Sequence, residues 1–338
     1  MVVFVVTTHW LLFLPDNFVT PYIFTRNWHF IVSFFFMLSG FLFARGTFTK
    51  EENHCPFKDS LLKLFHNKRS YILKYEIMIV LAMLYNIFIF FLLGKGSLSE
   101  ILTSGIFDFF CLSTLLNIGS VNMNSGWFFQ CLVQFWFLSP FIVRCFWYFK
   151  KKFAHNKSLS IFFIVLFQIF YLIIVKQVRH FANPYYNSFV RILEITVGMT
   201  LYELAEYIPL RSTRLVTILE CIGIIVFFSP LFKNVYYNEL LNSVMVHSIM
   251  SGFILYVYAH NNGLISAKVF RKNPLIDLVS RYSFDIFIFH FITFHIMTLS
   301  PVLSSPYLLL AEGFMIPIGL GMIINQIQHK YETKHIAQ

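Results

Sequence analysis

The chain has 338 residues, of which 57% are hydrophobic and only 12% are charged. Soluble domains carry roughly a quarter charged residues, so this composition excludes an ordinary soluble protein. The formal net charge of +10 could suit a nucleic acid. The Lys and Arg residues, however, cluster in short segments between apolar runs, as membrane topology requires, and we expect no nucleic-acid partner.

Apolar runs long enough to cross a hydrocarbon core recur along most of the chain, and helices are the default for such runs in lipid. We therefore predict an all-α, polytopic membrane protein with about ten transmembrane helices and both termini in the cytoplasm. Residues 1–338 would form a single membrane domain. The predicted spans are 2–14, 29–44, 75–93, 126–147, 158–176, 187–205, 215–232, 241–260, 282–299 and 305–326.

The first of these runs, from Val2 to Leu14, is too short to span a bilayer as it stands, so we expect a helix truncated at its amino end. Pro15-Asp16-Asn17 and Pro21 predict the turn that follows. Residues 45–72 are rich in Lys and Arg, and we interpret them as a long polar loop on the inner face.

Segment 101–121 allows two interpretations. It is apolar, but Asp108 interrupts it and Gly105 loosens it. If it spanned, the basic triplet at 150–152 would lie outside. If it lies on or re-enters the outer face, the triplet joins the other basic segments inside, and we favour this second interpretation.

His9 is the strongest catalytic candidate. Ionisable side chains within membrane runs are rare and are functional candidates by default, and histidine is the side chain best suited to take and return a proton near neutral pH. A neutral histidine satisfied by a helix carbonyl is the structural alternative. Ser39 and Gly40 follow in the next run, where a small-residue break allows either close backbone approach or an unwound segment lining a cavity. Ser39 is a weaker nucleophile candidate, because no Gly-x-Ser-x-Gly turn surrounds it.

The remaining polar candidates each have two interpretations. Arg191 and Glu194 lie three residues apart, so they can pair on one helix face, either to orient the helix or to shape a site. Lys68 and Arg69 suit anionic lipid headgroups or the phosphates of a cytoplasmic donor. Trp127 opens a span and could be only an interfacial belt residue. The five cysteines have no paired spacing, so we predict neither a metal site nor a disulfide framework.

Taken together, these segments resemble the acyltransferase-3 family of membrane acyltransferases along nearly the whole chain. The first helix, MVVFVVTTHW, places a histidine after an apolar start, as that family does. The other matching motifs are Phe35-Phe36-Met37-Leu38-Ser39-Gly40-Phe41-Leu42, the pair Lys68-Arg69, the segment from Trp127-Phe128-Phe129 to Pro140, the set Arg191, Glu194 and Gly198, and the stretch Ser280 to His290, which includes Ser283.

The resemblance implies transfer of an acyl group, usually acetyl from acetyl-CoA, to a hydroxyl of a surface or exported glycan or its lipid-linked precursor. Acetyl-CoA would be a co-substrate, with no bound cofactor. His9 would be the essential histidine, and Lys68 and Arg69 would lie near the donor. A polar cluster around Arg191, Glu194 and His290 would shape the site, and the enzyme would reside in a bacterial plasma membrane.

The sequence departs from the family pattern in two places. The arginine that usually precedes the histidine by about eleven residues would fall before Met1. The arginine and proline that usually follow the Lys-Arg pair are replaced by Lys74 and Glu76. A rival function is a transporter or flippase for a glycan or lipid intermediate, with the buried charges as its coupling site. The acceptor and the length of the acyl group stay open.

Overall fold

The computed structural model describes residues 2–14, 28–48, 57–116, 126–153, 156–180, 183–228, 243–270, 273–299 and 305–336. Every regular element in these ranges is helical, which confirms the all-α prediction. Five of the described helices are long and apolar enough to cross a membrane, and three shorter apolar helices contain Val2–Phe13, Val244–Ala259 and Ser283–Met297. The total of ten spans and the cytoplasmic location of both termini stay predictions.

The helices in chain order are α1 (Val2–Trp10, followed by a 3-10 turn at Leu11–Phe13), α2 (Trp28–Phe48), α3 (Phe57–Leu93), α4 (Leu98–Phe109), α5 (Ser113–Leu116), α6 (Gly126–Lys152), α7 (Lys157–Val178), α8 (Ser188–Tyr207), α9 (Thr213–Phe228), α10 (Ser243–Ala259), a π-helical turn (Ser266–Phe270), α11 (Pro274–Arg281), α12 (Ser283–Met297) and α13 (Pro306–Ile336).

The prediction of a polar loop over residues 45–72 is wrong for most of its length. Helix α2 continues to Phe48, and α3 is already helical from Phe57. Lys and Arg are good helix formers, and a helix of 37 residues is about 55 Å long, which exceeds a hydrocarbon core of about 30 Å. The charged first turns of α3 therefore need no loop to reach water. The predicted turn at Pro15–Asp16–Asn17 and Pro21 lies outside the described residues.

The chain forms two compact units. The first comprises Met1–Thr20, Leu62–Val133 and Leu275–Gln338, and the second comprises Pro21–Leu61 and Gln134–Pro274. Each unit is described by itself below. The prediction of a single membrane domain stays a prediction.

Close contact between α2 and α8 organises the second unit. A methyl group added at Gly40 would collide with the backbone carbonyl of Ile195, and one added at Gly198 would collide with the carbonyl of Met37. Each helix thus places a glycine against the backbone of the other. In lipid, apolar surface provides no driving force between helices, so close backbone approach at small residues supplies the packing contacts.

In the first unit, α3 and α12 run parallel with a regular register. The ring of Tyr71 meets Phe284 edge-on with ring centroids 4.7 Å apart. Lys74 forms an ion pair with Asp285, and the Tyr85 hydroxyl lies 3.5 Å from Nδ1 of His295. These contacts advance along both helices in the same direction, so the two helices start at the same end of the unit.

Helices α4 and α5 fold back along α3. The reversal passes through Gly94 and Gly96, whose positive φ angles of 62° and 88° favour glycine. A methyl group at Gly105 would meet the side chain of Met83, and the Tyr75 hydroxyl donates a hydrogen bond to the carbonyl of Asp108 at 2.9 Å. Tyr75 lies 18 residues before Leu93, about 27 Å along α3. Whether residues 101–121 re-enter the outer face or span stays a prediction.

Helices α1, α12 and α13 pack against one another in the same unit. Gly313 of α13 faces the ring of Phe294 and the side chain of Val6. The indole nitrogen of Trp10 donates to the carbonyl of Pro306 at 2.7 Å, which ties the end of α1 to the start of α13. These contacts fix the position of His9 in α1.

We expect Gly40→Ala to destabilise the protein, because the new methyl group meets backbone that cannot rotate away. Overpacking typically costs about 1–3 kcal/mol. Gly46→Ala is the matched control on the same helix, since nothing lies within 4 Å of the added atom. Thermal unfolding of the detergent-solubilised variants measures the difference, and equal midpoints would contradict the observed α2–α8 contact.

Candidate active site

His9 of α1 and His290 of α12 form a direct side-chain pair in the first unit. Nδ1 of His9 lies 2.6 Å from Nε2 of His290. The two rings are nearly parallel, with an interplanar angle of 4° and centroids 5.0 Å apart. His290 is fully buried, whereas His9 keeps partial exposure. Of the predicted candidates in the first unit, the structure brings these two histidines into contact.

The backbone of α12 determines which nitrogen of each ring carries the proton. Nδ1 of His290 lies 2.9 Å from the carbonyl oxygens of Ile286 and Phe287. A carbonyl can only accept, so Nδ1 of His290 must be the protonated nitrogen. In the neutral ring Nε2 is then an acceptor, and Nδ1–H of His9 donates to it. This assignment leaves Nε2 of a neutral His9 with its lone pair, as a general base requires.

Aromatic rings hold the His9 imidazole in place. Phe291 meets it edge-on with centroids 5.0 Å apart. Phe13, just beyond α1, packs on Phe291 and on His295 of α12. The apolar surroundings exclude water on these sides and strengthen the hydrogen bond between the two histidines.

A second buried polar pair joins α3 to α12. Nζ of Lys74 lies 2.7 Å from Oδ1 of Asp285, and the two side chains are only 6% and 3% exposed. Insertion of a single Lys or Asp at mid-bilayer costs about 2.5–3.5 kcal/mol, which makes pairing essential here. Sequence reasoning noted both residues separately but not their contact. The available signal was the presence of opposite charges in two apolar runs.

The other predicted residues of the first unit occupy three places. Lys68 and Arg69 lie on α3 before Lys74, and Lys68 stands over the ring of Tyr71 at 5.4 Å. Ser283 begins α12 and is partly buried. Trp127 is buried in the first turn of α6.

The start of α6 is packed against other helices of the first unit. Phe128 and Phe129, which follow Trp127, contact Phe287 of α12 and Tyr75 of α3. Tyr75 also donates to the carbonyl of Asp108 at the end of α4. Gln130 extends this contact, because its amide nitrogen donates to Asp108 and its oxygen accepts from the backbone of Thr114 in α5. The start of α6 and residues 108–114 thus form one hydrogen-bonded cluster.

In the second unit, Arg191 and Glu194 form the predicted ion pair, and both side chains are completely buried. The pair also makes hydrogen bonds to other residues of this unit. Arg191 donates to the carbonyl of Tyr185 and to Ser33, while Glu194 accepts from Ser248 at 2.5 Å and from Tyr171 at 3.3 Å. The phenol of Tyr171 also lies 2.7 Å from the Ser248 hydroxyl. This enclosed network supports the interpretation of the pair as a device that orients α8.

Ser39 and Gly40 also belong to the second unit. Helix α2 is continuous through both residues, so the structure supports close backbone approach rather than an unwound segment. The Ser39 hydroxyl donates to the carbonyl of Phe35 at 2.8 Å, as a packing serine does in a membrane helix. Arg191, Glu194, Ser39 and Gly40 thus lie in one unit, and His9 and His290 in the other.

The chemistry open to the histidine pair is proton transfer. Within the described ranges, no three His, Cys, Asp or Glu side chains come close enough together to hold a metal ion. The pair has the base-and-orienter arrangement that activates a hydroxyl for attack.

We expect Arg191→Met to destabilise the second unit strongly, because it leaves the Glu194 carboxylate buried without its cation. Removing one partner of a buried pair typically costs about 3–5 kcal/mol. Arg281→Met is the control, since Arg281 pairs with Asp277 at 3.3 Å and both side chains are exposed, and such pairs contribute about 0–1 kcal/mol. Thermal unfolding in detergent separates the two, and equal stability of both variants would refute the structural role of Arg191.

Comparison with known proteins identifies the family. The family model named Acyl_transf_3, described as an acyltransferase domain, matches residues 1–327. No curated protein matches the chain, and no solved structure matches it. A family match over almost the entire length, together with the apolar helices and the paired histidines, leads to one conclusion: the chain belongs to the acyltransferase-3 family of membrane acyltransferases.

Proposed function

We propose that this membrane acyltransferase transfers an acetyl group from acetyl-CoA to a hydroxyl of a cell-surface or exported polysaccharide, or of its lipid-linked precursor, in a bacterial plasma membrane. The family match supports acyl transfer as the reaction class. The observation that carries the mechanism is the contact between Nδ1 of His9 and Nε2 of His290 at 2.6 Å.

In the proposed reaction, Nε2 of His9 removes the proton from the acceptor hydroxyl while that oxygen attacks the thioester carbonyl. The tetrahedral intermediate collapses, the bond from carbon to sulfur breaks, and His9 returns the proton to the CoA thiolate. His290 keeps Nδ1–H of His9 engaged throughout, so it orients the base and stabilises the imidazolium that forms. Such positioned bases contribute about 10²–10⁴-fold in rate.

The parallel helices α3 and α12 offer a route for the donor. Lys68 and Arg69 would bind the phosphates of the CoA nucleotide, for which guanidinium and ammonium groups are well suited. Lys68 precedes Lys74 by six residues, and Asp285 precedes His290 by five. At 1.5 Å per residue this path is about 17 Å long. Acetyl-CoA carries its charged phosphates at one end and its thioester at the end of a long arm, so a donor of this shape fits such a path.

The rival function is transport or flipping of a glycan or lipid intermediate. Transporters of that kind place ionisable groups where they couple to substrate movement. The enclosed partners of Arg191 and Glu194 argue against a coupling site in the second unit. Incubation of purified protein in liposomes with labelled acetyl-CoA and envelope glycan distinguishes the two, because only an acyltransferase makes labelled glycan.

We expect His9→Ala to abolish transfer of label to glycan while protein remains in the membrane, because no base remains to take the hydroxyl proton. The loss should be about 10²–10⁴-fold. Membrane content is checked by immunoblot, and surface acetylation by mass spectrometry of the polysaccharide. Acetylation at the wild-type level by cells that carry His9→Ala would refute the catalytic role.

His290→Phe should lower kcat by about 10²-fold with little change in the KM for acetyl-CoA, because the variant removes the acceptor for Nδ1–H of His9. His290→Gln retains an acceptor oxygen and should lose less. His295→Phe, five residues further along α12, is the control and should keep its rate. If His290→Phe and His295→Phe transfer equally well, His290 has no orienting role.

A further inference from the structure

Helix α12 carries His290, yet its apolar packing does not select which face meets α1. Its sequence from Ser283 to Met297 is apolar on all sides, with aromatic or branched residues in every turn. Sliding such a helix by one residue moves it 1.5 Å and turns it by 100°. Apolar packing in lipid discriminates weakly between such registers, since lipid chains are as apolar as the side chains they would replace.

Asp285 adds a charged contact to the aromatic and polar contacts that α12 makes with α3. It lies five residues before His290 and is 2% exposed as a residue. Its carboxylate lies 2.7 Å from the ammonium group of Lys74 on α3. Burial of both groups means that any register that separates them leaves two charges unpaired in an apolar medium.

Gly321 of α13 also lies against Asp285, and we call the contact of Lys74, Asp285 and Gly321 the junction. A methyl group added at Gly321 would lie 2.5 Å from the carboxyl carbon of Asp285 and 2.8 Å from its oxygens. The carboxylate therefore rests against bare helix backbone. Ser70 of α3 also donates to Gln328 of α13 at 2.7 Å, so these two helices are joined a short distance from the same point.

We propose that Lys74, Asp285 and Gly321 are positioning residues that fix the register of α12 against α3 and α13, and so hold Nε2 of His290 in line with His9. The expected effect on kcat rests on the proposed function, whereas the expected effect on the position of His290 does not depend on it. Lys74 acts on the reaction through Asp285 and α12, and not as a group that binds the donor.

The first test removes both charges together. Lys74→Met with Asp285→Asn keeps side-chain size and leaves no lone charge, so the double variant should insert normally. The control is Lys150→Met with Glu203→Gln, which removes a Lys–Glu pair of similar length in the other unit. Each double variant is made with native histidines to measure kcat and KM. It is made again with His9→Cys and His290→Cys to measure how close positions 9 and 290 are.

Two measurements follow. A short bifunctional methanethiosulfonate reagent joins the cysteines at 9 and 290, and mass spectrometry of the linked peptide gives the yield. The charge-free variant should lose most of this yield, while the control keeps it. With native histidines, kcat should fall by about tenfold or more, because a misplacement of about 1 Å can cost 10²-fold in rate, and the KM for acetyl-CoA should not change.

Gly321→Ala tests the same junction without removing a charge, and it remains informative if the double variant does not fold. It should lower the linked-peptide yield and kcat, whereas Gly319→Ala, which meets nothing within 4 Å, should change neither. Equal linking yields for Gly321→Ala and Gly319→Ala would overturn the proposal. For the variant with Lys74→Met and Asp285→Asn, a higher KM for acetyl-CoA with an unchanged linked-peptide yield would also overturn the proposal, because it would assign Lys74 to donor binding.

The linking yield separates this proposal from the proposed function. If the wild-type protein transfers no acetyl group but the charge-free variant loses its linking yield, the positioning role holds and the function fails. If transfer is observed and the linking yield of every variant equals that of its control, the function holds and the positioning role fails.

Discussion

A polar side chain inside an apolar medium must find its partner within the protein, and this constraint organises the whole chain. Three examples come from the described core. His9 engages His290, Lys74 engages Asp285, and Arg191 engages Glu194. The first two join helices that are far apart in sequence, and the third joins neighbours on one helix. Each pair fixes an orientation that apolar packing in lipid leaves weakly determined.

The three pairs differ in what they leave available for chemistry. Arg191 and Glu194 hydrogen-bond to Ser33, Tyr171 and Ser248, all within the same unit. The histidine pair is different, because the carbonyls beside Nδ1 of His290 require a proton on that nitrogen, and the resulting hydrogen-bond direction leaves Nε2 of a neutral His9 unprotonated. An unprotonated nitrogen of this kind is what the proposed general base needs.

The class of fold could be predicted from the sequence because twenty-residue apolar runs have one stable form in lipid. The Arg191–Glu194 pair could be predicted because three residues separate its members, and helix geometry alone brings them together. The contact between His9 and His290 could not, since 281 residues separate them. The loop predicted at 45–72 was wrong because charge was taken as a sign of irregular structure, whereas Lys and Arg extend α3 as readily as apolar residues do.

The first unit is assembled from three stretches of chain that the second unit interrupts. His9 is synthesised 281 residues before His290, so α1 must wait in the membrane for its partner while the chain between them is inserted. Translation proceeds at about 5–20 residues per second, which makes this interval tens of seconds long. Termination of synthesis between α1 and α12 therefore yields a protein that contains His9, the proposed base, without the histidine proposed to orient it.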